Sequence, residues 1–459
     1  MPDTDDLATL LARHDKPGPR YTSYPTATLF HDGVDEAAYQ RALADAAAVD
    51  APLSLYVHLP FCAERCLYCA CNVVITQHPE VSEPYLEHLR REIDLVATHL
   101  GTARPVRQFH FGGGTPTYYA PAQLAELMSY LRARFAFEPG AEVALEADPR
   151  VTTTEHLEVL ADHGFNRLSL GVQDFDPRVQ EAVHRVQGFQ DTMRLVEAAR
   201  RYGFTSVNVD LIHGLPYQTP SSFARTVDQV LRMAPDRLAV YSFAHVPWIA
   251  PHQKRLPEDA IPRGEEKYRL LATARERLTG AGYLDVGMDH FARPDDELAQ
   301  AQREGRLSRN FMGYTPVRAG DVIGLGLSAI GEVQGRFVQN HRKLNRYQDA
   351  VAAGRLPTAR GYELSDDDRV RQHLIREWMC NLHLPVRDLE ARFGIAFDAY
   401  FAEERGEIDA LVRDGFLEPN EDGFRAGPLG RMFLRNVAMV FDRHLRERTP
   451  DRPTFSRTV

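Results

Sequence analysis

The sequence predicts an α/β fold built on a six-stranded partial barrel, carrying an N-terminal arm and a mostly helical C-terminal domain. Three observations predict it. Short β-rich runs alternate with amphipathic helical stretches through the middle of the chain, helical stretches end on glycine, and the chemically unusual residues gather at one end of the runs.

The runs that read as strands are LSLYVHL (53–59), VRQFHFG (106–112), EVALEAD (142–148), RLSLGVQ (167–173), SVNVDLI (206–212) and RLAVYSF (237–243). Helical patterns lie between them at 83–100, 121–135, 153–164 and 189–203. The last two end on Gly164 and Gly203, where a left-handed cap is expected because glycine carries no Cβ. Strand–helix repeats joined by right-handed crossovers give a parallel sheet. Six strands make about three quarters of a full eight-stranded barrel, leaving an open side for a large substrate. The cysteine cluster, Gly112 to Thr117, Glu146, Gln173 and Asp210 all fall at or just beyond the C-terminal ends of these runs. That end is where the loops of a barrel converge and ligands bind.

The domain reading follows from changes in character along the chain. Residues 1–50 form an N-terminal arm with a helical segment, 51–350 the domain of alternating strands and helices, and 360–459 a C-terminal domain of helices, a small hairpin around Asn420 to Gly423 and a last helix. That order is winged-helix-like. Residues 250–350 hold a further helix and more β structure, and Gly324 to Gly331 is too poor a match to G-x-G-x-x-G to suggest a nicotinamide site.

The chain has 459 residues with a formal net charge of -10, which disfavours a nucleic-acid surface, since phosphate binding needs clustered Lys and Arg. The opening MPDTDDLATLLARHD carries acids where a secretory signal carries positive charge. No run approaches the roughly 18 apolar residues of a membrane span. A cytoplasmic protein is expected.

Four of the five cysteines, Cys62, Cys66, Cys69 and Cys71, lie within ten residues. Such crowding suits metal binding, not a long-range disulfide framework. Cys380 stands alone and reads as a small buried hydrophobe. Three thiolates on one loop suit either iron–sulfur clusters or zinc, so ligand type alone does not decide. Structural zinc usually closes its shell with two separated pairs, and a second pair is missing. Three cysteines on a four-iron cubane would leave one iron open, as catalysis requires.

The spacing Cys62-x3-Cys66-x2-Cys69 after a strand, with aromatic Tyr68 between the last two, resembles the signature of the radical S-adenosylmethionine (SAM) superfamily. The resemblance implies a TIM-like (β/α)6 partial barrel of the radical SAM type. It also implies a [4Fe-4S] cluster on Cys62, Cys66 and Cys69, whose open iron chelates S-adenosyl-L-methionine. Reductive cleavage would then give a 5′-deoxyadenosyl radical.

Three further features are similar to the oxygen-independent coproporphyrinogen III oxidase family (anaerobic coproporphyrinogen dehydrogenase): Cys71, the segment Pro19 to Thr26, and the LIREWMCN and GRMFLRN stretches of the C-terminal domain. This implies decarboxylation of two propionates to vinyl groups in haem biosynthesis, with Glu146, Ile330 and Cys71 in catalytic positions. Tyr56, Gly113, Glu146 and Ile330 would meet a first SAM. Tyr68, Gly114, Thr115, Gln173, Arg185, Asp210 and the backbone of Ala244 would meet a second. Two residues depart from the family pattern: Tyr68 stands where phenylalanine is common, and Met312 where glutamine is expected. From position alone, Arg20 and Arg309 are expected to receive substrate carboxylates, with Tyr21, Thr22 and Ser23 as hydroxyl donors. Expected partners are a tetrapyrrole substrate and an electron donor such as flavodoxin or ferredoxin, with no nucleic acid, for a monomeric protein. The alternative is the haem-chaperone branch of the superfamily, a binding protein; the Arg20 to Thr26 segment and Cys71 argue against it. A zinc-stabilised DNA-binding regulator fits neither the charge nor the barrel motifs.

Overall fold

Each of the six expected strands forms, and they lie side by side in chain order, all parallel: β1 (Leu53–Leu59), β2 (Val106–Gly113), β3 (Phe137–Ala147), β4 (Arg167–Gln173), β5 (Ser206–His213) and β6 (Arg237–Ser242). This computed structural model describes residues 4–317, 320–447 and 454–458; the remaining positions of the expected arm, of the 51–350 domain and of the C-terminal segment lie outside them. A helix follows every strand: α1 (Ser82–Leu100), α2 (Pro121–Arg132), α3 (Thr154–Asp162), α4 (Phe189–Arg201), α5 (Pro220–Met233) and α6 (Gly264–Gly280). Thr153 and Thr219 cap α3 and α5, each hydroxyl accepting a hydrogen bond from the backbone N–H three residues on. The expected glycine stops hold, with Gly164 at φ +85° and Gly203 at φ +92°.

The barrel is a consequence of strict alternation. In β1, Leu53, Leu55, Val57 and Leu59 are fully buried in the main hydrophobic core. Burying each such side chain stabilises by about 1.5–3 kcal/mol. The intervening residues point the other way: Ser54 donates to Gln108 Oε1 of β2 at 3.0 Å, and the Tyr56 ring stacks on His110.

The sheet runs beyond the six strands to twelve. On one side β1 also pairs in parallel with β9 (Asp321–Gly326), which continues antiparallel through β10 (Ile330–Val333), β11 (Arg336–Asn340) and β12 (Thr358–Glu363). On the other, β6 pairs with the hairpin of β7 (Leu284–Gly287) and β8 (His290–Ala292), which the sequence reading did not foresee. Strands of three or four residues are too short to display alternation. The Gly324 to Gly331 glycines serve sheet packing: a Cβ on Gly324 would come 2.6 Å from the Ile330 carbonyl, and one on Gly331 2.7 Å from that of Val322.

The C-terminal domain joins helices Asp366–Asn381, Val386–Phe393 and Arg405–Arg413 to a three-stranded antiparallel sheet containing the expected hairpin, Leu417–Asn420 and Gly423–Ala426. The expected last helix is broken into Pro428–Met432, Leu434–Val440 and Arg443–Glu447. The buried Trp378 indole donates to the Leu434 carbonyl at 2.8 Å and ties the middle piece to the first helix of the domain. Cys380 is buried beside Leu307 and Tyr314, as expected.

The N-terminal arm departs most from expectation. Its Tyr21 was expected to offer a hydroxyl to substrate, yet Tyr21 and Tyr24 are 5% and 2% exposed and belong to the hydrophobic cluster of the C-terminal domain. Arg435 secures the arm from below, donating from Nε to the Pro19 carbonyl at 2.9 Å and from Nη2 to that of Gly18.

Candidate active site

A cavity of about 570 Å³ opens at the C-terminal ends of the strands, lined by Cys62, Cys66, Cys69 and Cys71 together with Tyr68, Gly113, Gly114, Thr115, Glu146, Gln173, Arg185 and Asp210. Residues spread over more than 140 positions of sequence thus share one wall because each ends, or follows, a different parallel strand.

The cysteine loop is pinned from several directions. His58 of β1 donates from Nε2 to the Asn72 carbonyl at 3.0 Å, so its Nδ1 is the acceptor for the Tyr56 hydroxyl at 3.0 Å. Gly113, at φ +118°, and Gly114 allow the strand end to press against this loop: a Cβ on Gly113 would lie 2.8 Å from the His58 ring, and one on Gly114 2.6 Å from the Pro60 carbonyl. The glycine run is therefore required by the backbone itself as well as by any ligand. Thr115 Oγ1 hydrogen-bonds Cys62 Sγ at 3.3 Å, and the Cys71 N–H donates to Cys69 Sγ at 3.4 Å.

Around Cys66 the charge is positive. Arg150 and Arg185 each place a guanidinium nitrogen 3.5 Å from Cys66 Sγ, and both pair with Asp148, at 2.7 and 2.9 Å. Burial alone would raise the Asp148 pKa, but the two guanidiniums outweigh it and hold the carboxyl below its ordinary value. The sequence reading found Arg185 and missed Asp148 and Arg150; the signal was the ADPR run that closes the third strand.

Glu146 accepts from His110 Nε2 at 3.4 Å and from the Gly113 N–H at 3.2 Å. Against the raising effect of burial, these contacts keep its carboxylate below the usual pKa. Asp210, accepting from Ser169 at 3.0 Å and Asn208 at 2.9 Å, is instead pushed up to about 6, because burial exceeds what those two bonds return. Gln173 holds φ +67° without being glycine, and its buried Oε1 has no protein partner. A strained backbone and an unsatisfied acceptor in one cavity are what a ligand position looks like.

Other expected residues lie outside this cavity. Tyr56 sits deeper in the barrel, beneath Gly112, and Ile330 opens β10 beside Phe30 and Phe337. The Ala244 carbonyl already accepts from Gln253 Nε2 at 3.2 Å. Met312 lines a second cavity of about 130 Å³ within the barrel, which shares Glu146, Ser169, Asp210 and Tyr241 with the first. The expected carboxylate receivers are committed inside the protein. Arg20 pairs with Asp289, and the Tyr21 hydroxyl donates to Asp442 at 2.8 Å. Ser23 donates to the Pro25 carbonyl at 2.9 Å, and Arg309 donates from Nη1 to the Arg20 carbonyl at 2.9 Å. Tyr21, Thr22, Ser23 and Arg309 line a separate pocket of about 30 Å³. The cause is burial: an arm folded against the rest of the protein must pair its polar groups with protein partners.

Three thiolates facing one cavity, flanked by two guanidiniums and an unpaired amide oxygen, fit a thiolate-held iron–sulfur cluster with an adjoining organic ligand. Among the described residues no group of His, Cys, Asp or Glu is placed to hold a single metal ion.

Fold and site together define a radical SAM enzyme. Residues 56–230 match the model of the Radical SAM superfamily, and residues 364–433 that of the HemN C-terminal domain. The chain is 46% identical over 454 residues to the oxygen-independent coproporphyrinogen III oxidase of Pseudomonas aeruginosa, covering 98% of each. It is 42% identical to that of Escherichia coli K12, covering 99% of this chain and 98% of that one. The solved coproporphyrinogen III oxidase (HemN) from Escherichia coli, described as a radical SAM enzyme, superimposes with a TM-score of 0.89 at 42% identity, over 93% of this chain and 98% of that one. The chain belongs to the oxygen-independent coproporphyrinogen III oxidase family.

Proposed function

We propose that this protein converts two propionate side chains of coproporphyrinogen III to vinyl groups, giving protoporphyrinogen IX in anaerobic haem biosynthesis. The observation that carries it is the cavity where Cys62, Cys66 and Cys69 share one wall with Glu146, Gln173, Arg185 and Asp210. When bound, a [4Fe-4S] cluster supplies the electron that cleaves SAM to methionine and the 5′-deoxyadenosyl radical. Each propionate then loses one hydrogen atom from its β-carbon, carbon dioxide, and one electron to an acceptor, leaving a neutral vinyl group.

The chain's own residues hold this chemistry in place. Cys62, Cys66 and Cys69 are the cluster ligands, and Arg150 and Arg185 offset the negative charge at Cys66. Glu146, kept ionised by His110 and the Gly113 N–H, is a partner for the ammonium or the ribose hydroxyls of SAM. Gln173 and Asp210, from the next two strands along the same cavity, suit a second SAM, as do Tyr68, Gly114, Thr115 and Arg185. Tyr56 and Ile330 would act from beneath and beside the first. Cys71 lies near the reacting centre without being a ligand. Of the five substrate contacts expected from sequence, Arg309 is the cation proposed for a carboxylate, which would have to displace its present bond to the Arg20 carbonyl. A flavodoxin or ferredoxin would donate the electron to a monomeric, cytoplasmic enzyme. No helix among the described residues is long and apolar enough to cross a membrane.

The test is product analysis after anaerobic reconstitution with iron and sulfide. Protoporphyrinogen IX from coproporphyrinogen III, with 5′-deoxyadenosine, is the expected result. Tight binding of haem with no vinyl product would favour the chaperone reading.

A further inference from the structure

The large exposed apolar side chains among the described residues include two neighbours, Trp248 at 48% and Ile249 at 56% exposure, in the loop after β6. The chain's other tryptophan, Trp378, is fully buried, so Trp248 is not surplus core. Neither Trp248 nor Ile249 lines the catalytic cavity.

This loop is tied to the cysteines. Its next turn, Pro251–Arg255, reaches the cysteine segment through two side chains. His252 donates from Nε2 to the carbonyl of Cys69 at 2.6 Å, and Gln253, fully buried, donates to the carbonyl of Tyr68 at 3.0 Å. Gln253 Oε1 in turn accepts from the Val246 N–H at 2.6 Å, which ties the two ends of the loop together. The same turn exposes Lys254 and Arg255 to solvent, a basic spot on a chain of net charge -10. The acids that follow are Glu258, which is engaged by Arg263 at 2.8 Å, and Asp259.

We propose that Trp248, Ile249, Lys254 and Arg255 form the docking surface for an acidic one-electron carrier protein that reduces the cluster. The proposal rests on the radical SAM reading above, since only that chemistry needs an electron delivered at Cys69. The transfer is simple: the reduced carrier loses one electron, the cluster gains it, and no bond or proton changes place. An apolar anchor ringed by opposite charge is what a short-lived, steered complex uses. The path is short in bonds, from the surface turn through the His252 ring to the carbonyl of a cluster ligand.

The experiment uses the full-length reconstituted holoenzyme and measures 5′-deoxyadenosine formed with two electron sources: dithionite, which needs no docking, and flavodoxin kept reduced by its NADPH-dependent reductase. For a Trp248→Ala/Ile249→Ser variant and, separately, Lys254→Glu/Arg255→Glu, the flavodoxin-driven rate should fall about tenfold while the dithionite-driven rate stays unchanged. Added salt should slow the flavodoxin-driven wild type and barely affect the charge-reversed variant. Unchanged flavodoxin-driven rates overturn the proposal. So does an equal loss with both sources, which would assign the loop to the catalytic site, and so does a raised KM for coproporphyrinogen III under dithionite, which would make substrate the occupant. A wild-type dimer that the apolar variant dissociates would give the surface to a second copy. Wild-type protein that makes no 5′-deoxyadenosine even with dithionite would overturn the underlying functional reading as well.

Discussion

On the helix-facing side of the barrel, Leu55, Val57, Phe109, Phe111, Leu145, Leu170 and Val209 have no more than a trace of exposed surface and together make the main core. On the lumen side of the same strands stand Ser54, Gln108, His110, Glu142, Arg167, Asn208, Asp210 and Arg237, and nearly every polar group has a partner. Gln108 bridges Ser54 and Glu142, Arg167 pairs with Glu142 at 3.2 Å, and Arg237 reaches Asp296 at 2.9 Å. One side is held by area removed from water; the other is a hydrogen-bonded network whose open ends, Glu146, Gln173 and Asp210, face the cavity. Stability and chemistry therefore occupy alternate residues of one strand, and a substitution should disturb one and spare the other.

The largest effect should come at the cavity wall. Replacing any one of Cys62, Cys66 or Cys69 with serine is expected to abolish the cluster's visible absorbance and paramagnetic signal and to reduce vinyl product to background, because an iron loses its protein ligand. Cys71→Ser should assemble the cluster with lowered activity. A Cys71→Ser protein that cannot assemble it would break the assignment of three ligands. Across the strand, Leu145→Ala should cost about 2–5 kcal/mol of stability, read from urea unfolding of the cluster-free protein, with normal turnover in whatever fraction stays folded. If the surviving fraction is slow, the two faces are not independent.

The same division explains what was legible in the sequence. Alternation and helical period are properties of the apolar face, and they located all six strands and four of the five helices that separate them, missing Pro220–Met233. Cys62, Cys66, Cys69 and Glu146, which line the cavity, stood out because soft ligands and acids are conspicuous at strand ends. Asp148 and Arg150 were missed because a charged pair in a loop looks solvated until Cys66 is seen beside it. Tyr21 was misread because its ring and its hydroxyl argue for different surroundings, and only the fold shows Asp442 waiting for the hydroxyl. The β7–β8 hairpin has too few residues for any period to emerge. Long-range pairing, such as Arg20 with Asp289, leaves no local trace.

A smaller effect is expected at Glu146. Glu146→Gln keeps the shape and removes the charge that His110 and the Gly113 N–H support, so SAM binding should weaken by about 1.5–3 kcal/mol, the range for a charge-assisted contact. Thermal stability should stay within roughly ±0.5 kcal/mol, as at sites away from the core. Equilibrium binding of SAM and a melting curve on the same sample check both. A melting temperature that collapses while affinity holds would make Glu146 a fold support and blur the division between the faces.

The smallest effect tests the lumen network through pH. Burial raises the Asp210 pKa from 3.8 to about 6. The folded protein therefore holds a proton that the unfolded chain has already released between those values. The sign follows: Asp210 favours the folded state fully below pH 3.8 and loses that contribution as pH rises through about 6. Asp210→Asn should remove this decline, and cluster-free protein carrying it should lose less stability than wild type between pH 4 and 7. Ser169→Ala withdraws one of the two hydrogen bonds that favour the Asp210 carboxylate. Losing a bond of about 0.5–1.5 kcal/mol should move the window up by at most roughly one pH unit. Carboxyl titration followed by NMR, with melting temperature against pH, reads the shift directly. A window that moves down, or an Asp210→Asn protein with the wild-type pH profile, would show that the network at Asp210 is not set by its two lumen partners and that solvent reaches this face of the barrel freely.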